Sequence, residues 1–134
     1  MIKITELPLN PDDVMSTVYD NDTGAVNVHV GTVKAYNQDK KVVRLEYETD
    51  IDRAIETIED VIEQVKDKWP VYHVTIHHRI GVLTVGEVAV VIAVSSVHSK
   101  ESFAACEYAV EALRKTGVIK KNEIYTEGEE VNPH

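Results

Sequence analysis

The chain has 134 residues, 43% of them hydrophobic, with 14 Lys+Arg against 23 Asp+Glu and a formal net charge of -9. That length suits one compact domain over residues 1–134 with a real core. The acidic balance excludes a protein that tracks a nucleic-acid backbone or an anionic membrane, since either needs an extended basic face. The longest apolar run, Val88 to Val94, is far short of the roughly 20 residues that cross a bilayer, and MIKITELPLN carries no signal-peptide core. A lone cysteine, Cys106, cannot form an intrachain disulfide, and a cytoplasmic protein is expected.

Residues 1–23 hold Pro8, Pro11 and the run DNDTG, and read as a strand-like start, a short helix from Pro11 to Tyr19 and a turn. From Gly24, GAVNVHVGTVK sets Val26, Val28 and Val30 on one side and Asn27 and His29 on the other, the period of a half-buried strand. Gly31 suggests a bulge or a close backbone approach. YNQDKK reads as a polar loop, and VVRLEYE as a second strand expected to pair with the first in a hairpin.

TDIDRAIETIEDVIEQVKDKWP places Ile51, Ala54, Ile55, Ile58, Val61, Ile62, Val65 and Trp69 at helical spacing, between a T-x-x-D start at Thr49 and a stop at Pro70. VYHVTIHH alternates again, with His78 on the inward side of Val74 and Ile76, and His73 and His77 outward. RIGVLTVGE reads as a loop or short hairpin, and EVAVVIAVSS as a central strand apolar on both faces. SKESFAACEYAVEALRKTG predicts a helix with Phe103, Cys106, Val110 and Leu113 on one stripe, Ser99 as N-cap and Gly117 as the stop. A short strand around EIYT and an acidic tail close the chain. The order of strands and helices, with short links, is that of an α+β fold with a mixed, mostly antiparallel sheet and two main helices.

Spacing argues against a metal. His73 and His77 lie about 13 Å apart on a strand, and His77 and His78 point to opposite faces. Cys106 shares an apolar stripe, which marks a structural thiol rather than a nucleophile, and no phosphate-loop, dinucleotide or serine-hydrolase motif is present. His98 differs from the other histidines because it stands where a buried strand meets a helix N-terminus; there it either helps to bind an anion or simply caps and packs.

Arg114, Lys115, Lys120 and Lys121 form a cationic cluster in an acidic chain. Arg114 and Lys115 offset the helix dipole, each by about 0.3–1 kcal/mol, but Lys120 and Lys121 lie beyond Gly117. In a strand their side chains point to opposite faces, so one of them turns inward, where a lysine can serve as a base or hold an anionic substrate; the alternative is two solvated surface lysines.

Together DTGAVNVHVGTVK, LEYE, KWP, HHRIGVLTVGE, SSVHSKESF and LRKTGVIKKNEIYTEGEEV, in order from Asp22 to Val131, resemble the large, catalytic subunit of molybdopterin synthase. The resemblance implies an α/β-hammerhead type fold and a sulfurtransferase of molybdenum cofactor biosynthesis. It carries sulfur from the C-terminal Gly-Gly thiocarboxylate of a small ubiquitin-like subunit to cyclic pyranopterin monophosphate. It also implies a homodimer within a heterotetramer, and no cofactor. By position, Lys121 and His98 match catalytic residues; the family's second catalytic lysine falls, without a gap, at Arg114, and a one-residue adjustment supplies Lys115 in that role, leaving Arg114 and Lys120 to substrate binding. Lys34 stands where the family has a substrate-contacting arginine, Arg79 matches the arginine of H-R-I-G in either a substrate-binding or a structural role, and Glu123 matches the glutamate after the catalytic lysine. Lys120 replaces a tryptophan, Asn122 a basic residue, and Ser99 an arginine for which Lys100 stands nearby. A second reading is a non-catalytic paralogue that docks the ubiquitin-like subunit without turnover.

Overall fold

The computed structural model describes residues 1–126; the acidic tail expected after the last strand lies outside the described residues. In chain order the elements are β1 (Ile2–Thr5), α1 (Pro11–Ser16), β2 (Ala25–Thr32), β3 (Tyr36–Asn37), β4 (Lys40–Glu48), α2 (Ile51–Lys68), β5 (Val71–Arg79), β6 (Gly81–Thr84), β7 (Val88–Ser96), α3 (Ser99–Thr116) and β8 (Lys120–Tyr125). This is an α+β fold with two main helices and two sheets. The first runs β1-β5-β7-β2, antiparallel except for the parallel β1–β5 pair. In the second, β4 is the hub and pairs antiparallel with β3, β6 and β8.

β7 is apolar on both sides because both are covered. Ile92 and Val94 meet Ile58, Val61 and Val65 of α2 and Ala105 and Ala109 of α3, whereas Val91 and Ala93 meet Val14 and Val18 around α1. Ile58, Ile76 and Ile92 are almost wholly buried, each such side chain contributing about 1.5–3 kcal/mol. A smaller cluster of Val33, Val42, Leu45, Leu83, Ala89 and Tyr125 belongs to the second sheet and its junction with the first.

Several local expectations need correction. VVRLEYE does not pair with GAVNVHVGTVK: β2 lies along β7, and its register shifts at Gly31 as the chain leaves the first sheet. YNQDKK is no open loop but a tight β3–β4 hairpin turning through Gln38, at φ 58°. The segment after Gly81 is a strand of the second sheet. The N-cap of α2 is Asp50, whose carboxylate accepts from Arg53 N; Thr49 instead donates its hydroxyl to Val118 O at 2.7 Å, tying the start of α2 to the segment after α3.

α3 is capped at His98, with no side-chain hydrogen bond, rather than at Ser99. Its buried residues are Ser102, Ala105, Cys106 and Ala109, small enough to bring the helix close to the sheet. Phe103 sits one residue off that stripe and is 63% exposed. Gly117 does end the helix, at φ 60°, a left-handed conformation that a residue with a Cβ resists. Among the described residues, no helix is long and apolar enough to cross a membrane.

Candidate active site

The left-handed turn at Gly117 lets the chain reverse at once from α3 into β8. That reversal puts the last turn of α3 beside the first residues of β8, so Arg114 and Lys121 line one cavity of about 350 Å³. Its other walls come from both sheets: His29 and Gly31 of β2, Val90 and Ile92 of β7, His78 of β5 and Tyr47 of β4. Among the described residues, no carboxylate lines this cavity. A neighbouring cavity of about 420 Å³ sets Glu48 and Asp50 against Arg53 and Lys120, so its charges cancel.

Strand alternation sorts the two lysines. Lys121 lies opposite Tyr47 in the β4–β8 register and Lys120 opposite Glu48, which sends them to different faces and different cavities. Lys121 shares its face with Glu123 and Tyr125. Its side chain is 48% exposed, and Nζ lies 3.6 Å from Glu123 Oε1.

Glu123 is 7% exposed, and a buried carboxylate needs donors. Asn37 Nδ2 donates to both of its oxygens at 3.3 and 3.2 Å and to Tyr125 OH at 3.2 Å, and Tyr125 OH donates to Oε2 at 3.3 Å. The cavity lysine thus leans on an acid that the β3–β4 hairpin holds in place. Asn37 was hidden in the sequence because its segment reads as a polar loop. The one available signal was that Asn tolerates tight hairpins.

Two further cavity residues are tuned by burial. Burial pushes the Tyr47 phenol above its ordinary value, with the Glu123 charge adding to the effect. Burial holds the His78 imidazole below its ordinary value, against the opposing pull of its bond to the Arg79 carbonyl. The two rings meet edge-on, with centroids 5.1 Å apart. Cys106 lies outside this cavity, buried, its thiol pushed up to about 11 by desolvation.

The other sequence-chosen residues are spread more widely. Arg114 reaches the cavity, tethered at 3.1 Å to Glu111 one turn earlier, whereas Lys115 faces a separate depression with Gln64 and Tyr108. Arg79 is committed to bracing: Nη1 contacts Glu87 at 2.6 Å and Nε donates to Glu6 O at 3.0 Å. Hydrogen bonds from Thr84, with Arg79, hold the Glu87 carboxyl down at about 2. Lys34 is exposed just beyond β2. His98 and Lys100 are exposed at the N-terminal end of α3; sixteen residues separate His98 from Arg114, about 24 Å of helix. Within one chain, therefore, His98 and Lys100 do not join Arg114 and Lys121.

The comparisons with known proteins agree with one another. The family model described as MoaE protein matches residues 4–116. The molybdopterin synthase catalytic subunit of Bacillus subtilis is 39% identical over 128 residues, 96% of this chain and 82% of the relative; that of Bos taurus is 39% identical over 127 residues, 95% and 67% of the two chains. A crystal structure of molybdopterin synthase from Staphylococcus aureus superposes with a TM-score of 0.90 at 33% identity, covering 98% of this chain and 96% of that one. A complex of subunits 1 and 2 of molybdopterin-converting factor from Helicobacter pylori, 18% identical with a TM-score of 0.76 over 96% of this chain and 91% of that one, shares the fold. A match running from within β1 to the end of α3, joined to relatives similar along nearly the whole length, means that the chain belongs to the MoaE protein family.

Proposed function

We infer that this chain is the catalytic subunit of a molybdopterin synthase, a sulfurtransferase that makes the dithiolene of molybdopterin. It moves sulfur from the thiocarboxylated C-terminus of a small ubiquitin-like subunit to cyclic pyranopterin monophosphate. The observation that carries this reading beyond family membership is the convergence of Arg114 and Lys121 on one cavity, with no carboxylate among its described lining residues, in a chain of net charge -9. Both the thiocarboxylate and the substrate phosphate are anions, and a cationic pocket stabilises them.

Lys121 is the catalytic cation: it holds the reacting anion and exchanges a proton with it. Arg114, rather than Lys115, takes the second cationic place because it is the one that faces the cavity, and its planar guanidinium can grip a phosphate through two hydrogen bonds. Lys120 and Arg79 play no direct part in this reading, since one lines the charge-balanced cavity and the other braces Glu87. His98 and Lys100 serve the cavity of a second copy of the chain, with the small subunit's tail entering each cavity, which gives the homodimer a catalytic purpose. Lys34, close to Gly31 and Thr32 of the cavity wall, adds positive charge near the entrance.

The test combines the full chain with its thiocarboxylated small subunit and cyclic pyranopterin monophosphate, and detects molybdopterin through its fluorescent oxidation product. Lys121→Ala is expected to lower product formation at least about a hundredfold, the scale of losing one well-placed stabilising group, while leaving the fold and the subunit complex intact. Full activity in this variant would remove Lys121 from the reaction. A stable complex of unaltered subunits that yields no product would make the chain a docking paralogue.

A further inference from the structure

Arg114 and Lys121, which line the cavity, are solvent-exposed; His78, which lines it too, is buried. His78 is 8% exposed and its ring lines the cavity. Nδ1 lies 2.7 Å from the Arg79 carbonyl oxygen. A carbonyl can only accept, so Nδ1 carries the proton and Nε2 keeps a lone pair. Among the described residues Nε2 has no hydrogen-bond partner. The Tyr47 ring packs edge-on against the imidazole at 5.1 Å, so a ring flip would sacrifice both the carbonyl bond and this contact. Burial keeps the imidazole neutral at physiological pH.

An acceptor with no protein donor, on a buried residue that lines a cavity, is a feature that a ligand can satisfy. The surroundings narrow the choice. Val90, Ile92, Val110 and Leu113 offer apolar surface suited to the faces of a flat ring, and the cations are the solvent-exposed members of the lining. Building on the pterin reading of this cavity, we propose that His78 Nε2 accepts a hydrogen bond from an N–H of the substrate's heterocycle. Arg114 and Lys121 then hold the phosphate. The pocket thereby reads two chemically distinct ends of one ligand, and His78 distinguishes an N–H-bearing ring from any other phosphate ester of similar size.

Equilibrium binding to the full chain tests this without the sulfur-carrying subunit, so that no turnover occurs. Two probes are used: cyclic pyranopterin monophosphate, and sulfate as an anion with no ring. His78→Phe keeps an aromatic ring and removes the acceptor. It is expected to weaken precursor binding about tenfold or more while leaving sulfate affinity within about twofold. His78→Gln restores an acceptor oxygen and most of the affinity. In the unaltered chain, the nitrogen NMR signal of Nε2 shifts when precursor is added and stays put with sulfate, a readout that needs no variant to fold. Precursor binding unchanged in His78→Phe, equal loss of both probes in both variants, or an Nε2 signal indifferent to precursor would each overturn the proposal. An unaltered chain that binds sulfate but not precursor would instead remove the pterin assignment on which it rests.

Discussion

Asn37 is the residue through which the β3–β4 hairpin reaches the cavity lysine, and replacing it makes a quantitative test. Its amide donates to both oxygens of a carboxylate that is 7% exposed, and to the Tyr125 hydroxyl. Asn37→Ala removes a charge-assisted donor and leaves Glu123 under-satisfied, which should cost about 1.5–3 kcal/mol. Asn37→Asp is nearly isosteric but turns the donor into a second acceptor. At the Nδ2–Oε distances of 3.2–3.3 Å the two carboxylates would repel; at about 4 Å after relaxation, that repulsion is about 4 kcal/mol with a surface-like effective dielectric constant. Yielding of the hairpin tip should leave a net loss of about 3–5 kcal/mol.

Urea unfolding measures this directly. With a slope near 2 kcal/mol per molar, Asn37→Ala should lower the midpoint by about 1 M and Asn37→Asp by about 2 M. Both variants should also lose activity through the loosened Lys121–Glu123 contact. Equal midpoints for the two variants would refute the reasoning, because only a donor aimed at a buried carboxylate makes Asp worse than Ala here.

Two further outcomes follow from the structure. Burial lowers the pKa of His77, with Lys3 adding to the effect, and burial likewise lowers that of His78. The unfolded chain therefore takes up protons first, near pH 6.5, so stability is complete above that pH and declines as pH falls toward the lower folded values. A melting temperature that does not drop between pH 7.5 and 5.5, or a drop no shallower in His77→Gln, would contradict this; the Glu87 contribution is separate, being lost only between its ordinary value of 4.5 and about 2. Mixing inactive His98→Ala and Lys121→Ala chains should recover roughly a quarter of the activity if each site draws on two copies, since half the dimers are mixed and one of their two sites is intact. No recovery would place both residues in service of a single chain's cavity.

Helical periodicity made α2 and α3 legible because 3.6-residue spacing is a local property, and Gly117 marked the end of α3 because a left-handed residue is a local demand. The apolar run of β7 likewise announced a strand covered on both faces. The order of residues around Lys121 and His98 carried the family resemblance. Strand partnership was another matter: β4 reads like the partner of β2, yet beyond its short hairpin with β3 it pairs with β6 and β8 from far along the chain. Nothing local to VVRLEYE encodes those partners.

The membership of the cavity was undecided for the same reason. Arg114 and Lys115 are indistinguishable as neighbours in sequence, and only the packing of α3 turns one to the cavity and the other to Tyr108. His78, Tyr47 and Asn37 enter the site, or brace it, from three strands brought together by the meeting of two sheets. Sequence alone determined the local elements and the chemistry available to them, because periodicity, turns and side-chain types are carried by neighbouring residues. Which of those side chains face one another was decided by the tertiary structure, because burial and pairing are satisfied by the whole chain at once.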